Sequence, residues 1–294
     1  MSETRQPTAL ITGASSGIGF QVSKQLSQKG YKVYAGARRL EPMEPLKKYG
    51  VIPIKLDVSS IDSVLDVKKF LIEELKDGKL DILYNNAGQS CTFPGIDVTD
   101  AQVEQVFQVN VFGGIRLTRE LISLIIKAHG TILFTGSLAG IAPFPFGSVY
   151  SATKAAIHQY ARALHLELKP FDVRVINVIT GGVLTDIADK RALPQTSLYN
   201  IPEGQHTFSE RQEMAKRNQP MSAEKYSSQV INDIISGRDT IDVYRGSKVF
   251  LVSWLIRWFP GWAVELIFQH KFKLNALFKA LRRKYSDGVD LHLD

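Results

Sequence analysis

Tyr150 and Lys154 stand four residues apart in YSATK, a spacing that puts both side chains on one face of a helix. A free phenol titrates at about 10, and an ammonium beside it stabilises the phenolate, so the pair makes a proton donor usable near neutral pH. Ser137 ends the run GTILFTGS, where its hydroxyl would hold a carbonyl oxygen beside Tyr150. Asn110, in QVNVFG, would interrupt helical hydrogen bonding and bind a water in a proton relay behind Lys154. Each residue alone is more often structural, so the weight rests on the order in which the four occur.

A second constellation lies near the N-terminus. TGASSGIG, Thr12 to Gly19, follows an apolar run and opens a helical pattern. Gly13, Gly17 and Gly19 permit a tight turn, while Ser15, Ser16 and Ile18 offer N–H groups to a pyrophosphate at a positive helix terminus. Gly13-Ala14-Ser15-Ser16-Gly17 also spells the nucleophile elbow of a hydrolase. A hydrolase would need an acid and then a histidine on later strand ends, whereas His158 and His165 fall within one helix. Ser15 and Ser16 are therefore expected to cap the helix and touch cofactor phosphate. After the second apolar run comes Ala37-Arg38-Arg39 with no acid before Glu41, so Arg38 and Arg39 would pair with a 2′-phosphate and select NADPH, or form a solvated basic pair. Asp57 would accept from the adenine amino group, and Asn86, Ala87 and Gly88 of NNAG would line the crevice, unless these residues serve only as turn chemistry.

The elements that must carry these residues alternate. TALIT precedes a helix from about Gly17; YKVYAGA precedes Pro42 to Tyr49; VIPIKLDV precedes Ile61 to Leu75. LDILYNNAG, a helix near Asp100 to Lys127, GTILFTGS, a helix from about Val149 to Leu168 and DVRVINVIT continue the series. The expected fold is α/β, a doubly wound (Rossmann) parallel sheet with its ligand crevice beyond the carboxyl ends of the strands. Residues 181–220 loosen into short helical pieces that read as a lid, followed by an amphipathic helix at SAEKYSSQVINDIIS and a last strand at TIDVY. The expected division is a Rossmann-type domain over 1–245 and an appended hydrophobic and basic segment over 246–294.

Hydrophobic residues at 44% and charged residues at 22% belong to an ordinary folded protein and exclude a disordered or fibrous one. A single cysteine, Cys91, excludes an internal disulfide, and the six histidines show no metal-ligand spacing, so no metal is expected. The charge of +7 is concentrated: residues 245–284 hold nine Lys and Arg against one Glu. That stretch is rich in Trp, Phe, Leu and Ile, which suits an anionic lipid surface and not nucleic acid. Its apolar run VFLVSWLI ends at Arg257 and Pro260-Gly261 breaks the helix, so no span of about 20 residues exists. Beyond the break Ala263, Leu266, Ile267, Leu274, Leu277, Phe278 and Leu281 recur at helical spacing, describing an amphipathic segment that lies in one leaflet or pairs with a second copy in a homodimer.

Thr12-Gly-x-x-x-Gly-Ile-Gly, Asn85-Asn-Ala-Gly, Asn110, Ser137 and Tyr150-x-x-x-Lys154 together resemble the short-chain dehydrogenases/reductases over roughly residues 7–245. The resemblance implies that NADPH delivers a hydride, that Tyr150 donates the proton, that Lys154 lowers its pKa and holds the nicotinamide ribose, that Ser137 orients the carbonyl and that Asn110 completes the relay. The family's Pro-Gly-x-x-x-Thr stands here as Thr180-Gly-Gly-Val183-Leu-Thr185, so Val183 and Thr185 can still hold the carboxamide while packing at the nicotinamide changes. FPFGSVYSATKAAIHQYARALHLELKPF and ITGGVLTDIADKRALPQTSLYN resemble fungal members that reduce acylated dihydroxyacetone phosphate or a similar lipid ketone at the endoplasmic reticulum and lipid droplets, with the catalytic domain facing the cytosol. Phe144 and Phe146 would then meet the acyl chain, and Lys190 and Arg191 the phosphate; the alternatives are a core-facing loop and a solvated charge pair. A steroid or retinoid dehydrogenase, a lipid esterase using Ser15 and a non-catalytic lipid-surface protein are the competing functions.

Overall fold

A computed structural model gives the architecture and describes residues 5–285; the remainder of the appended segment, 286–294, lies outside the described residues. The chain runs β1 (Thr8–Thr12), α1 (Gly17–Gln28), β2 (Lys32–Ala37), β3 (Ile52–Lys55), α2 (Ile61–Glu74), β4 (Ile82–Asn85), α3 (Asp100–Phe107), α4 (Gly113–Ala128), β5 (Thr131–Thr135), α5 (Ser148–Leu168) and β6 (Arg174–Thr180). It continues through β7 (Val183–Leu184), α6 (Pro202–Arg217), β8 (Met221–Ser222), α7 (Ala223–Ile235), β9 (Asp242–Arg245), α8 (Val249–Trp258), α9 (Gly261–Lys271) and α10 (Leu274–Tyr285). Seven strands form one sheet in the order β3-β2-β1-β4-β5-β6-β9, every neighbouring pair parallel. The chain builds outward from β1 to β3 and then returns to β4, so the winding direction reverses between β1 and β4. A crevice opens there, at the carboxyl ends of both strands.

Both faces of the sheet are buried, as its near-continuous apolar strands require. Leu10, Leu83 and Phe134 pack toward α2, α4 and α5, whereas their neighbours Ile11, Tyr84 and Leu133 pack toward α1 and α7. The segment Glu41–Tyr49 is a 3-10 helix and not an α-helix, because Pro45 inside it cannot donate an α-type bond. The single helix expected near Asp100 to Lys127 is three pieces: α3, a π-turn over Gln108–Phe112, and α4.

Two expectations need correction beyond β6. The lid holds one 16-residue helix, α6, instead of short pieces. Beyond Pro260-Gly261 the expected single amphipathic helix is two, because Lys273 adopts φ 56° and ends α9. The buried side of α9 is Val264 and Phe268, with Phe272 following, while Leu266 and Ile267 are exposed. These aromatics join Ala142, Phe146, Phe208, Leu274 and Leu277 in a third apolar cluster that ties α9 and α10 to the lid. Among the described residues, no helix is long and apolar enough to cross a membrane.

Candidate active site

The crevice encloses about 910 Å³ and runs from the glycine loop to the lid and α8. At its first end, Gly13 and Gly17 have φ of 66° and 54°, a left-handed conformation that a side chain would strain. Thr12 Oγ1 accepts from the N–H groups of Asn86 at 3.0 Å and Ala87 at 2.9 Å, and Asn86 Nδ2 donates to the Thr12 carbonyl at 2.9 Å. The β1 and β4 loops are thus pinned together beneath the glycine turn. Gly13, Ser15, Ser16, Gly17 and Ile18 line the crevice, whereas Gly19 is buried behind them against the Gly13 carbonyl.

Ser16 stands at the N-cap of α1, but its hydroxyl makes no capping bond and the first turn holds no acid. The free N–H groups therefore remain for an anion, and the cradle fits the pyrophosphate of a dinucleotide. Arg38 is exposed and lines the crevice past the end of β2; Arg39 is exposed and does not line it. Asp57 also lines the crevice, but one of its carboxylate oxygens accepts from Ser59 N–H at 2.9 Å and Ser59 Oγ at 2.6 Å. Asn86, Ala87, Gly88, Val183 and Thr185 line the wall, with Thr185 standing over Gly17. Among the described residues, no histidine lines the crevice with Ser15, so the hydrolase reading finds no histidine base there.

At the other end α5 presents Tyr150 and Lys154 as the four-residue spacing requires. Lys154 Nζ donates to the Thr135 carbonyl at 2.8 Å and lies 5.7 Å from the centroid of the Tyr150 ring. Burial lowers the ammonium to about 8. Burial also holds the Tyr150 phenol above its ordinary value, against the opposing pull of a hydrogen bond with Ser137 and the positive charge of Arg211. The phenol thus stays a protonated donor at neutral pH.

Asn110 sits in the π-turn, where the α-helical ladder is interrupted as anticipated. Its Oδ1 accepts from Gln89 N–H at 2.8 Å, and its Nδ2 donates to the Gln89 carbonyl and Thr153 Oγ1, both at 3.0 Å. With both side-chain atoms engaged, a relay through Asn110 would have to use its backbone. Phe144 lines the crevice, but Phe146 does not: it is buried against Tyr199 and Phe208, the core-facing alternative. Lys190 is exposed at the rim. Arg191 is held by Asp189 at 2.9 and 2.6 Å and lies over the Phe93 ring at 4.3 Å, bracing the lid.

Two residues that sequence reasoning passed over belong to this centre. Arg211 of α6 lines the crevice, donates through Nε to the Pro145 carbonyl at 3.0 Å and stacks over Phe144; within SERQEMAKR it reads as a solvated helix face. His158 follows Tyr150 and Lys154 at the same four-residue interval, a signal that was readable. Its Nε2 accepts from the Ser137 N–H at 3.0 Å, and Gly136 and Gly140 give its ring room.

Burial and the nearby Lys154 cation lower His158 to about 4, so the native ring is neutral where an unfolded one, near 6.5, takes up a proton. Stability is therefore lost as pH falls from 6.5 toward 4, by about 3 kcal/mol when the window is crossed. Urea midpoints measured between pH 7 and 4.5 should drop less steeply in His158→Gln than in wild type. Equal slopes would show that this ring does not govern acid sensitivity.

A carbonyl oxygen between Ser137 and Tyr150 would meet two hydroxyls in the same crevice that the glycine loop lines. The sequence matches the short chain dehydrogenase family model over residues 7–195, and the chain belongs to that family. It is 56% identical to the NADPH-dependent 1-acyldihydroxyacetone phosphate reductase of Saccharomyces cerevisiae, over 96% of each chain. It is 40% identical to the reductase of that name in Schizosaccharomyces pombe, over 65% of this chain and 67% of the other. Among solved structures, a short-chain dehydrogenase from Streptomyces avermitilis matches with TM-score 0.72 at 25% identity, covering 98% of this chain and 100% of that one.

Proposed function

We propose that the protein reduces the ketone of 1-acyldihydroxyacetone phosphate to the secondary alcohol of 1-acylglycerol 3-phosphate, with NADPH as reductant. The observation that carries this reading is the Ser137–Tyr150–Lys154 centre in a chain 56% identical to a reductase named for that substrate. Gly13, Ser15, Ser16, Gly17, Ile18 and Arg38 would hold NADPH, which would supply the hydride for the carbonyl carbon.

Ser137 and Tyr150 hold the carbonyl oxygen, and Tyr150 Oη gives it a proton as the new C–H bond forms. Lys154, fixed by the Thr135 carbonyl, keeps a positive charge beside the phenol and so stabilises the phenolate left behind. His158, accepting from the Ser137 backbone, fixes the turn that aims the serine hydroxyl.

The substrate is a lipid, and the surface beside the crevice suits one. The inner face of α8 places Val252 on the crevice wall, while Phe250, Leu251, Trp254 and Trp258 on its other faces are exposed, with Trp262 just beyond. The basic charge of α9 and α10 accompanies this apolar strip. Such a surface supports docking on the endoplasmic reticulum membrane and lipid droplets from the cytosolic side. Pairing of two copies through the same strip is the competing use.

Purified protein with NADPH should oxidise it when given 1-acyldihydroxyacetone phosphate in phosphatidylcholine vesicles, followed at the nicotinamide absorbance band. A ketosteroid in the same vesicles should give at most about 1% of that rate, the discrimination expected when buried polar groups lose their partners. Turnover of the steroid alone would sink the assignment.

A further inference from the structure

The two residues first suggested for the substrate phosphate do not make a site together, since Arg191 already carries Asp189. Lys190 is left at the exposed rim, and three further cations face the crevice without a counter-charge: Arg211 of α6, Lys248 just before α8, and Lys271 at the end of α9. Among the described residues, none of the three has a carboxylate oxygen within 4.0 Å. Of the three acids on the crevice wall, Asp189 holds Arg191 and the Thr92 N–H, Asp57 serves the Ser59 turn at the glycine-loop end, and Asp186 is exposed with no Lys or Arg nitrogen within 4.0 Å among the described residues.

The three cations sense one another. Lys271 is pushed down by burial and then by Lys248 and Arg211, and burial brings Arg211 to about 10. Arg211 also acts on the Tyr150 phenol, which places the group within electrostatic reach of the reaction centre. Clustering like charges at a partly buried wall is unfavourable in the protein alone and becomes favourable when an anion arrives. The Arg211 fork suits a phosphate: its Nε is fixed on Pro145, and its terminal nitrogens have no acceptor among the described residues. The glycine loop and Arg38 would take the cofactor phosphates, whereas these cations are carried by α6 and by the segment after β9.

The geometry points to a phosphate subsite made by Arg211, Lys271 and Lys248, which grips the phosphate of a phosphorylated ketone beside Tyr150. This assignment rests on the reductase reading above and adds that two of the three ligands come from the segment after β9. That segment therefore takes part in substrate recognition whether or not it also meets a lipid surface.

Calorimetry on the full-length, NADPH-loaded protein with hexyl phosphate and with hexan-1-ol tests it. The phosphate ester should bind at least about 100-fold more tightly, as expected for two or three charge-assisted contacts. Arg211→Met and Lys271→Met should each cut that preference about 10-fold while leaving hexanol affinity unchanged, and Arg211→Lys should retain part of it. Lys271 is at the rim, so its variant decides the matter if Arg211→Met fails to fold. A wild-type preference below about 3-fold, or one that Lys271→Met and every folded Arg211 variant leave intact, overturns the subsite. If the preference holds but 1-acyldihydroxyacetone phosphate is not reduced, the substrate reading falls and the anion site stands.

Discussion

Tyr150→Phe should lower the rate of ketone reduction by about 1000-fold while leaving the fold and NADPH affinity in place, the range expected for loss of a positioned general acid. The ring remains to pack and only the hydroxyl, whose protein partner is Ser137, is removed. Steady-state turnover together with NADPH fluorescence titration separates the two effects, and a variant within about 10-fold of wild type would remove the phenol from the mechanism. The same centre sets the pH profile. Reduction needs the phenol protonated and Lys154 charged. Because burial holds the phenol above its ordinary value and brings Lys154 down to about 8, the lysine loses its proton first as pH rises. The rate should be level below about pH 8 and fall above it, with the limb following the ammonium.

Gly19→Ala should raise the NADPH dissociation constant by more than about 10-fold and cost about 1–3 kcal/mol of stability, the usual penalty for overpacking. An added Cβ at Gly19 would lie 2.5 Å from the Gly13 carbonyl oxygen and 2.7 Å from Asn86 Nδ2, which is itself bonded to the Thr12 carbonyl. Nothing there is a free side-chain end, so relief requires moving the glycine turn that receives the pyrophosphate. Gly261→Ala, where an added Cβ meets nothing within 4 Å, is the control and should change the melting temperature and NADPH binding little. If the two variants behave alike, the close approach of α1 to the β1 turn does not matter for cofactor binding.

What the sequence discloses follows from how far each signal reaches. Tyr150, Lys154 and Ser137 were legible because helix spacing and strand ends place them through local geometry, and the Asn110 interruption appeared as a π-turn for the same reason. The glycine loop was legible through element order. Phe146 was not: a phenylalanine in a Pro-rich loop looks the same whether it faces a ligand or, 53 and 62 residues further along the chain, Tyr199 and Phe208. Helix α6 was hidden because, apart from Phe208 and Met214, its sequence offers few large apolar residues and hence little periodicity. The break at Lys273 has no glycine or proline to announce it. Arg211 and Lys271 carry chemistry only because α6 and α9 fold over the crevice, and each taken singly resembles any charge on an amphipathic helix.

Helix α8 is both a wall of the reaction chamber and the carrier of exposed tryptophans. If those indoles rest in a lipid film, enzyme and substrate share a two-dimensional phase, and encounter depends on how crowded the film is with ketone and not on its amount per volume of water. Diluting the film with inert phospholipid at constant total ketone would then slow the reaction, while stirring in more buffer would not. Such a catalyst would throttle itself as its product and neighbouring lipids accumulate in the same layer.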